Sequence, residues 1–450
     1  MIINIPEEVK YIIDNLEAGG FEAYAVGGCV RDSLLGMEPQ DWDICTSALP
    51  EETQMVFSGQ HIIETGLKHG TITLMLNNKP FEITTYRVDG KYKDSRRPES
   101  VKFVNVLKRD LARRDFSINA MAYNPKTGIV DYYDGQKDLK NGKIKTVGNP
   151  NKRFSEDALR IMRALRFAAQ FGYEIEDNTA LAMNDNKKLL NNIASERISN
   201  ELNKILLCDN VHGVLSAHIP VLTEIIPEFN ACVCFAQNNP HHSYDVFEHT
   251  LYAVDEAPKD LIIRLTMLLH DIAKPKCYSE SDDGVGHFYG HQNESAEMAR
   301  EILNRLRYDN ETIKAVTQLI FYHYPDGLKS EIKSVKRWLN RLGEERLRQL
   351  LMVWRADFTA KGTISPDFDN INRLFSEIPF LIDEIINQEL CFSLKNLAIN
   401  GKDLINAGIA EGSEIGEILN KLVELVIEEE LANDKEALLE HAKSIILCAD

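Results

Sequence analysis

Residues able to do chemistry stand out early in the chain. Gly27-Gly28 leads into Cys29-Val30-Arg31-Asp32, and Asp41-Trp42-Asp43 follows soon after. A strand that ends in two glycines and opens a helix lets backbone N–H groups approach a phosphate with no Cβ in the way. Arg31, one turn into that helix, can grip the same oxygens. Asp41 and Asp43 are two apart, so on a strand they share one face. Two carboxylates side by side repel unless a cation sits between them, and Mg²⁺ prefers such hard oxygen ligands. Glu82, on a neighbouring predicted strand, is the candidate third carboxylate. A lone Asp-x-Asp is most often a surface pair; behind a paired glycine and an arginine it points to metal-assisted chemistry on a phosphate.

Two further segments supply cations. Arg113-Arg114-Asp115 precedes small residues up to Ala122, read as a helix. Arg114 suits a triphosphate or ribose contact, and Asp115 can accept hydrogen bonds from ribose hydroxyls. Taken alone, the segment also fits an ordinary helix N-terminus with a local ion pair. In Glu156-Asp157-x-x-Arg160-x-x-Arg163-x-x-Arg166, steps of three along one helix bring these groups onto one face. Cytosine and adenine both present an exocyclic amine beside a ring-nitrogen acceptor. The acceptor Asp157 and the donor Arg160 match that edge, whereas uracil and guanine show a carbonyl beside an N–H. A mismatched buried edge leaves polar groups unpaired, so the pair favours CTP and ATP over UTP and GTP. Arg163 and Arg166 continue the stripe and suit phosphates, a solvated arginine face being the plainer alternative.

A second constellation lies later: His249, His270-Asp271, His291, His323 and Asp357. Two adjacent ligands plus distant His and Asp from other helices can surround a divalent metal in a helical bundle. The expected ligands are His249, His270, Asp271 and Asp357. His291 and His323 are left for a second metal or for phosphate, with Asp326 competing for that last role. Any one of these histidines alone is better read as an ordinary core or surface residue. Cys232-x-Cys234 is outside this set and receives no role.

The elements that must position these groups follow from periodicity. Residues 1–20 read as a short amphipathic helix stopped by Gly19-Gly20, and residues 21–26, 42–46, 71–76 and 81–87 have the β-branched and aromatic content of strands. Helical material is expected at 29–36. Residues 1–145 are therefore an α/β head, and after Pro150 helices take over, starting with a continuous helix over 156–172 that ends at Gly172. The remaining divisions are a helical neck and body (146–237), a helical unit (238–364) entered through residues 238–245, and a helical tail (365–450) after a joint at 365–370.

The 450 residues carry 51 Lys plus Arg against 69 Asp plus Glu, a net charge of −18. That acidity argues against a nucleic-acid partner only if it is uniform, and it is not. Arg87–Asp115 holds ten Lys/Arg against five Asp/Glu, Lys137–Arg166 nine against three, and residues 410–450 three against eleven. With 44% hydrophobic and 27% charged residues, disordered and fibrous classes are excluded. No apolar run reaches membrane-spanning length, and the first twenty residues lack the basic start and apolar core of a signal peptide. Eight scattered cysteines fit reduced thiols in a cytoplasmic protein.

Residues 21 to about 207 resemble the class II tRNA nucleotidyltransferase (CCA-adding) and bacterial poly(A) polymerase family. The matching pieces are GGCVRDSLLG, DWDICTSALPEE, DSRRPESVKFV (94–104), RRDFSINAMA, DYYDGQKDL (131–139) and RFSEDALRIMRALRFA (153–168), with NGKDL (400–404) similar to the family's tail. The resemblance implies template-independent addition of C and A from CTP and ATP to a tRNA 3′ end, with pyrophosphate leaving and two metals assisting. It implies that Asp41 and Asp43 hold Mg²⁺ and that Gly28, Arg31, Arg114, Asp157, Arg160, Arg163 and Arg166 bind the nucleotide. The loop with Arg96-Arg97-Pro98 resembles the flexible element that CC-only enzymes lack, which argues against that restricted activity. Poly(A) synthesis and terminal-A addition stay open.

The His/Asp set resembles an HD-domain phosphohydrolase module, which some bacterial tRNA nucleotidyltransferases carry, and implies a second divalent metal there. A metal-dependent phosphohydrolase whose head only binds RNA is therefore the alternative from another class. A pure tRNA-binding role is disfavoured, because binding needs no paired carboxylates beside a phosphate loop. RNA contact is expected on the basic head and neck, read through duplex shape and weakened by salt, with no membrane partner and the oligomeric state open.

Overall fold

A computed structural model of the chain describes residues 2–64, 66–90, 100–239, 243–324, 327–362, 368–409 and 412–447. The loop arginines Arg96 and Arg97 with Pro98, Asp326, and most of the joint at 365–370 lie outside these described residues. The chain divides into two units, residues 1–230 with 305–308, and residues 231–304 with 309–450. No helix among the described residues is long and apolar enough to cross a membrane.

The first unit opens with α1 (Glu7–Ala18), whose Val9, Ile12, Ile13 and Leu16 are buried at helical spacing. A seven-stranded sheet follows, built from β1 (Ala23–Val26), β2 (Ile44–Thr46), β3 (His61–Ile63), β4 (Thr71–Leu76) and β5 (Lys79–Thr85), then, past a hairpin of β6 (Arg87–Asp89) and β7 (Val101–Phe103), β8 (Met121–Asn124) and β9 (Gly128–Asp131). Its order is β3-β4-β5-β2-β1-β8-β9. Only β2 and β5 run parallel, with Ile44 opposite Ile83. Along the sheet stand α2 (Gly28–Leu34), α3 (Pro50–Val56), α4 (Leu107–Leu111) and α5 (Gly135–Lys140).

Two expectations fail here, for physical reasons. The small-residue run after Asp115 is not a helix: a single 3₁₀ turn (Ser117–Asn119) leads directly into β8. All four β8 residues are buried, and Ala122 pairs with Val26 of β1, so tertiary burial overrides local preference. The helix expected over 156–172 starts later, at Leu159, because Glu156 closes a separate preceding helix. Asn149 caps α6 (Pro150–Glu156) by accepting from Lys152 N at 3.0 Å, and Pro150 sits at its first turn. Asp157 then adopts extended backbone (φ −140°, ψ 102°), and α7 (Leu159–Phe171) starts afresh before Gly172 ends it at φ +65°. The neck continues through α8 (Asp177–Asn186), α9 (Ser195–Leu206), α10 (Val211–Ala217) and α11 (Ile219–Ile225).

The second unit is helical: α12 (Val246–Glu256), α13 (Leu261–Leu269), α14 (His291–Arg305), α15 (Asn310–Phe321), α16 (Ile332–Leu342), α17 (Glu344–Thr359), α18 (Phe368–Asn387), α19 (Gly401–Asn406), α20 (Glu414–Ile427) and α21 (Lys435–Leu447). Asp245, Asp260 and Asp309 cap α12, α13 and α15 by accepting from Glu248, Ile263 and Thr312 backbone N–H groups. The last helices share their own apolar core, in which Leu404, Leu422 and Leu438 are fully buried.

Candidate active site and a second, buried centre

The sheet order brings the first candidate residues to one edge. β2 starts at Ile44, so Asp41 and Asp43 lie on the segment entering it rather than inside it, yet Val26 N still donates to Asp43 O at 2.9 Å. Because Ile44 faces Ile83 in parallel register, Asp43 and Glu82 stand next to each other one residue earlier. The three carboxylates interact. Although residue 43 as a whole is solvent-accessible, loss of solvent around its carboxyl raises its pKa, Arg114 lowers it and Asp41 raises it further. Glu82 is raised by burial, then by Asp43 and Asp41. Desolvated, mutually repelling carboxylates are a donor set that a hard cation relieves.

Beside them, Gly27 turns the chain at φ +85°, and a Cβ there would lie 2.7 Å from Arg114 Nη1. Only glycine leaves this approach open. Arg114 Nε is buried without a hydrogen-bond partner among the described residues, and Nη2 lies 3.9 Å from Asp110. Gly28 opens α2, and Arg31 is buried in it. Arg31 donates from Nε to Asp32 at 2.8 Å and from Nη1 to Asn119 at 2.5 Å, and its guanidinium lies over the Phe167 and Phe171 rings.

Asp115 departs from the expectation of a ribose acceptor. Its Oδ1 accepts from Phe116 N and Asn119 Nδ2, and its Oδ2 from Arg163 Nε and Nη2 at 2.8 and 2.5 Å. Both oxygens are thus used by the protein. Burial alone would raise this carboxyl; Arg163 and the hydrogen bonds outweigh it and hold it well below the usual carboxylate range. Arg163, expected on a phosphate, is in this structure the partner of Asp115. Arg166 lies 3.3 Å from Glu201 and packs on Phe167 at 4.3 Å.

Asp157 and Arg160 are not brought together as a base-reading pair. The break at Asp157 separates them, and Arg160 donates to the Arg153 and Arg113 carbonyls and to Glu156 at 3.0, 2.9 and 3.0 Å. The guanidinium nearest Asp157 is that of Arg197 on α9, at 3.6 Å, with Nη1 buried and unpartnered among the described residues. Arg197, Phe167, Asn119 and Asp110 went unnoticed in the sequence. A signal existed for Phe167, which stands four residues beyond Arg163 inside the arginine stripe, and for Arg197, which repeats the same spacing with Glu201.

In the second unit the expected histidines and aspartates do converge. Single ligand atoms of His249, His270, Asp271 and Asp357 lie within 4.8 Å of one another, as do those of Asp271, His291 and His323. His249 Nε2 is 3.0 Å from Asp357 Oδ1 and 3.4 Å from Asp271 Oδ2. His270 Nε2 is 3.0 Å from Asp271 Oδ2, 3.5 Å from Asp357 Oδ1 and 3.3 Å from His249 Nε2. On the other side, Asp271 Oδ1 is 3.4 Å from His291 Nε2 and 3.7 Å from His323 Nε2, which are 3.1 Å apart. Nδ1 of His270, His291 and His323 faces the Met267, Phe288 and Ile320 carbonyls at 2.7, 2.7 and 2.6 Å. A carbonyl only accepts, so each Nδ1 carries the hydrogen; burial lowers His291 and His323, whose neutral rings turn an Nε2 lone pair inward, whereas His270, despite its burial, is raised to about 9 by Asp271 and Asp357. Burial and neighbouring histidines push His323 down to about 3, keeping it neutral. Asp271 is 1% exposed and neither oxygen accepts a well-aligned hydrogen bond, although Lys274 Nζ lies 2.7 Å from Oδ2 as an ion-pair partner.

Comparison with known proteins follows the same division. Residues 23–145 match the Poly A polymerase head domain, residues 172–230 the "Probable RNA and SrmB- binding site of polymerase A", and residues 287–442 the second domain of tRNA nucleotidyltransferases. The chain is 34% identical to the CCA-adding enzyme of Ligilactobacillus salivarius over 99% of each chain. It is 34% identical to that of Enterococcus faecalis, covering 98% of this chain and 97% of the other. Among solved structures it is similar to the Bacillus stearothermophilus CCA-adding enzyme in complex with CTP (TM-score 0.68, 26% identity, 98% of both chains). It shares its fold with the Thermotoga maritima CCA-adding enzyme complexed with tRNA (TM-score 0.62, 22% identity, 99% and 97% of the two chains).

Proposed function

The chain belongs to the CCA-adding enzymes, and from that premise we propose that it adds C and A from CTP and ATP to the 3′ end of tRNA without a template. One observation carries the reading: the Gly27 turn, Arg114 and the carboxylates of Asp41 and Asp43 come together where β1 ends and β2 begins, with Glu82 beside Asp43 from within the neighbouring β5. A divalent cation fits that donor set, since Asp43 and Glu82 are raised by burial and by their acidic neighbours. We assign Mg²⁺ as the ion and Asp41 and Asp43 as its ligands, with Glu82 third. Such a cation, when bound, activates the attacking 3′-hydroxyl and neutralises the leaving pyrophosphate oxygen.

The chain's own groups do the rest. Gly27 and Gly28 let the phosphate chain approach the backbone, and Arg114 offers an unspent Nε–H beside it. Arg31, fixed by Asp32, Asn119 and two rings, and Arg163 and Arg166, fixed by Asp115 and Glu201, surround the same turn with oriented positive charge. Asp157 accepts from the exocyclic amine of the base. Its donor partner is Arg160 only if that side chain leaves the Arg113 and Arg153 carbonyls; Arg197 already stands beside Asp157. The basic stretches of the head and neck bind the RNA backbone, so binding falls with salt. The described cysteines are free thiols, in keeping with a cytoplasmic location.

The test uses tRNA ending before, within and after its CC, each given CTP together with ATP, or UTP or GTP alone. We expect completion to CCA in each case and no incorporation of U or G. Runs of A beyond one residue, or A added only to tRNA already ending in CC, would replace this reading with poly(A) synthesis or terminal-A addition.

A further inference from the structure

Asn119 carries no charge, yet three charged groups of the head meet on it. It closes the 3₁₀ turn that leads into β8 and is 6% exposed. Its Oδ1 accepts from Arg31 Nη1 at 2.5 Å, and its Nδ2 donates to Asp115 Oδ1 at 3.1 Å. Its carbonyl accepts from Arg114 Nη1 at 3.5 Å and would lie 3.8 Å from a Cβ at Gly27, which places it at the phosphate-facing turn. Asp115 Oδ2 in turn accepts from Arg163. Charges therefore alternate along one line of hydrogen bonds, from Arg31 on α2 through the amide to Asp115 and on to Arg163 on α7. Both ends of the line rest on one ring: the Arg31 and Arg163 guanidiniums lie 5.2 and 5.4 Å from the centre of Phe167.

The partners dictate the residue type. A guanidinium only donates and an ionised carboxylate only accepts, so the group between them must accept on one side and donate on the other. An amide does both, and its dipole then points its negative end at Arg31 and its positive end at Asp115. A carboxylate in its place would set a second acceptor against Asp115, and an apolar side chain would leave both partners short of a bond. We propose that Asn119 is a positioning residue for nucleotide addition: its amide ties Arg31 to Asp115 and Arg163, and so holds the guanidiniums of α2 and α7 in place for a triphosphate. This rests on the function proposed above. The line contains neither Asp157 nor Arg197, so it acts on the triphosphate alike whichever base is attached.

The expected defect follows from what such a line does. Long side chains that grip a polyanion lose rotamer freedom when it arrives, and those already fixed by protein bonds lose less. Removing the amide frees Arg31 from one of its hydrogen-bond partners and takes from Asp115 one of its four donors, while every charge stays. Triphosphate binding should therefore weaken with no change in net charge. An interior asparagine that merely stabilised its own turn would behave differently. Its loss would lower the fraction of folded enzyme, and hence the apparent kcat, while the folded molecules kept their affinity for nucleotide.

The experiment uses the full chain with Asn119→Ala and with Asn119→Leu, which nearly keeps the native side-chain volume, so that a cavity in one variant does not decide the result. Nucleotide addition gives kcat and KM for CTP on tRNA lacking CCA and for ATP on tRNA ending in CC. Calorimetry gives the Kd of inorganic tripolyphosphate with Mg²⁺, a probe that has no base. Both KM values and this Kd should rise by about tenfold, the equivalent of about 1.4 kcal/mol, with kcat within about threefold of wild type. In an Arg31→Ala background, adding Asn119→Leu should raise them by less than about threefold, because one of its partners is already gone. A fall confined to kcat, a rise for one nucleotide only, or an undiminished effect in the Arg31→Ala background would each overturn the proposal while nucleotide addition by wild type stands. If wild type adds no nucleotide, the function proposed above falls, and the tripolyphosphate titrations still decide the role of Asn119. Wild type that fails to bind tripolyphosphate would overturn that role whatever the variants do.

Discussion

Asp41 and Asp43 stand on the segment entering β2 and Glu82 inside the neighbouring β5, and burial with their mutual repulsion raises the Asp43 and Glu82 carboxyls. Asp271, in the turn just after α13, and Asp357, on α17, are enclosed by histidines and lysines and held well below the usual carboxylate range: burial opposes this, but His270 and Lys274 outweigh it at Asp271, and Lys361 with the His249 and His270 contacts at Asp357. The difference separates two ways of using a metal. In the head the protein leaves a repulsive edge that a bound cation would relieve. In the helical unit, ring orientations fixed by backbone carbonyls gather the ligands in advance. The first arrangement suits a cation that comes and goes with substrate, the second a resident one.

The sharpest way to break that contrast is a crossed pair of substitutions. Asp41→Asn removes a cation ligand, and several kcal/mol of charge stabilisation correspond to about a thousandfold or more in the rate of nucleotide addition. Divalent-metal retention by the His/Asp cluster of the helical unit should be untouched. His270→Ala should do the reverse, lowering divalent-metal retention by the helical cluster while CTP and ATP incorporation stays within about twofold. Nucleotide-addition rates and metal content of the same preparations check this; a joint fall of both in either variant would show that the two sites are not chemically independent. Stability should differ as well. Asp41→Asn relieves repulsion, so its urea midpoint should be no lower than that of wild type.

A smaller effect is expected where the head has already paired its charges. Arg163→Ala would strand the Asp115 carboxylate, which is buried and accepts two of its four hydrogen bonds from Arg163. Leaving one member of a buried pair costs about 3–5 kcal/mol, readable as a lower urea midpoint at pH 7. The sign with pH is set by Asp115. Its folded-state pKa is depressed, so its contribution is complete above its unfolded value of about 3.9 and is lost as pH falls below that toward the folded value. The gap between wild type and variant should therefore narrow below about pH 4. A gap that stays constant to pH 3 would mean that Arg163 stabilises by packing on Phe167, 5.4 Å from its ring, and not through Asp115.

Much of this was legible in residue types and spacing, and the failures share a cause. β4 was read at its full extent, residues 71–76, because apolar and β-branched residues alternate through it. The histidine and aspartate ligands were readable as a set, since helices bring such residues together without disguising them. β8 escapes reading because its four residues, Met121 to Asn124, carry little strand signal; burial between β1 and β9 makes it a strand. The break at Asp157 was missed for the converse reason: helical periodicity runs through it unbroken. What opens the helix there is long-range, namely Arg160 reaching the Arg113 carbonyl forty-seven residues away. Lys274 and Lys361 escaped notice although they stand three and four residues from Asp271 and Asp357, because an isolated lysine on a helix looks like solvated surface.

The smallest expected effect bears on base choice, where the head's open design meets its paired arginines. The Arg197–Asp157 pair is long at 3.6 Å and its side chains are 29% and 20% exposed, so its loss should cost less than about 1 kcal/mol of stability. Arg160→Ala should cost more, since Arg160 is buried and bonds two backbone carbonyls and Glu156. If Arg197 supplies the donor that accompanies Asp157, Arg197→Ala should lower the preference for CTP over UTP by roughly fivefold, the equivalent of about 1 kcal/mol, with an unchanged melting temperature. The ratio of kcat/KM for the two nucleotides on a tRNA lacking its CCA measures it. An unchanged ratio in Arg197→Ala, alongside a reduced one in an Arg160→Lys variant that still folds, would return base reading to Arg160. It would also require the Arg160 side chain to leave the Arg113 carbonyl when nucleotide binds, making the head a site completed by its substrate in its base-reading half as well as at its carboxylates.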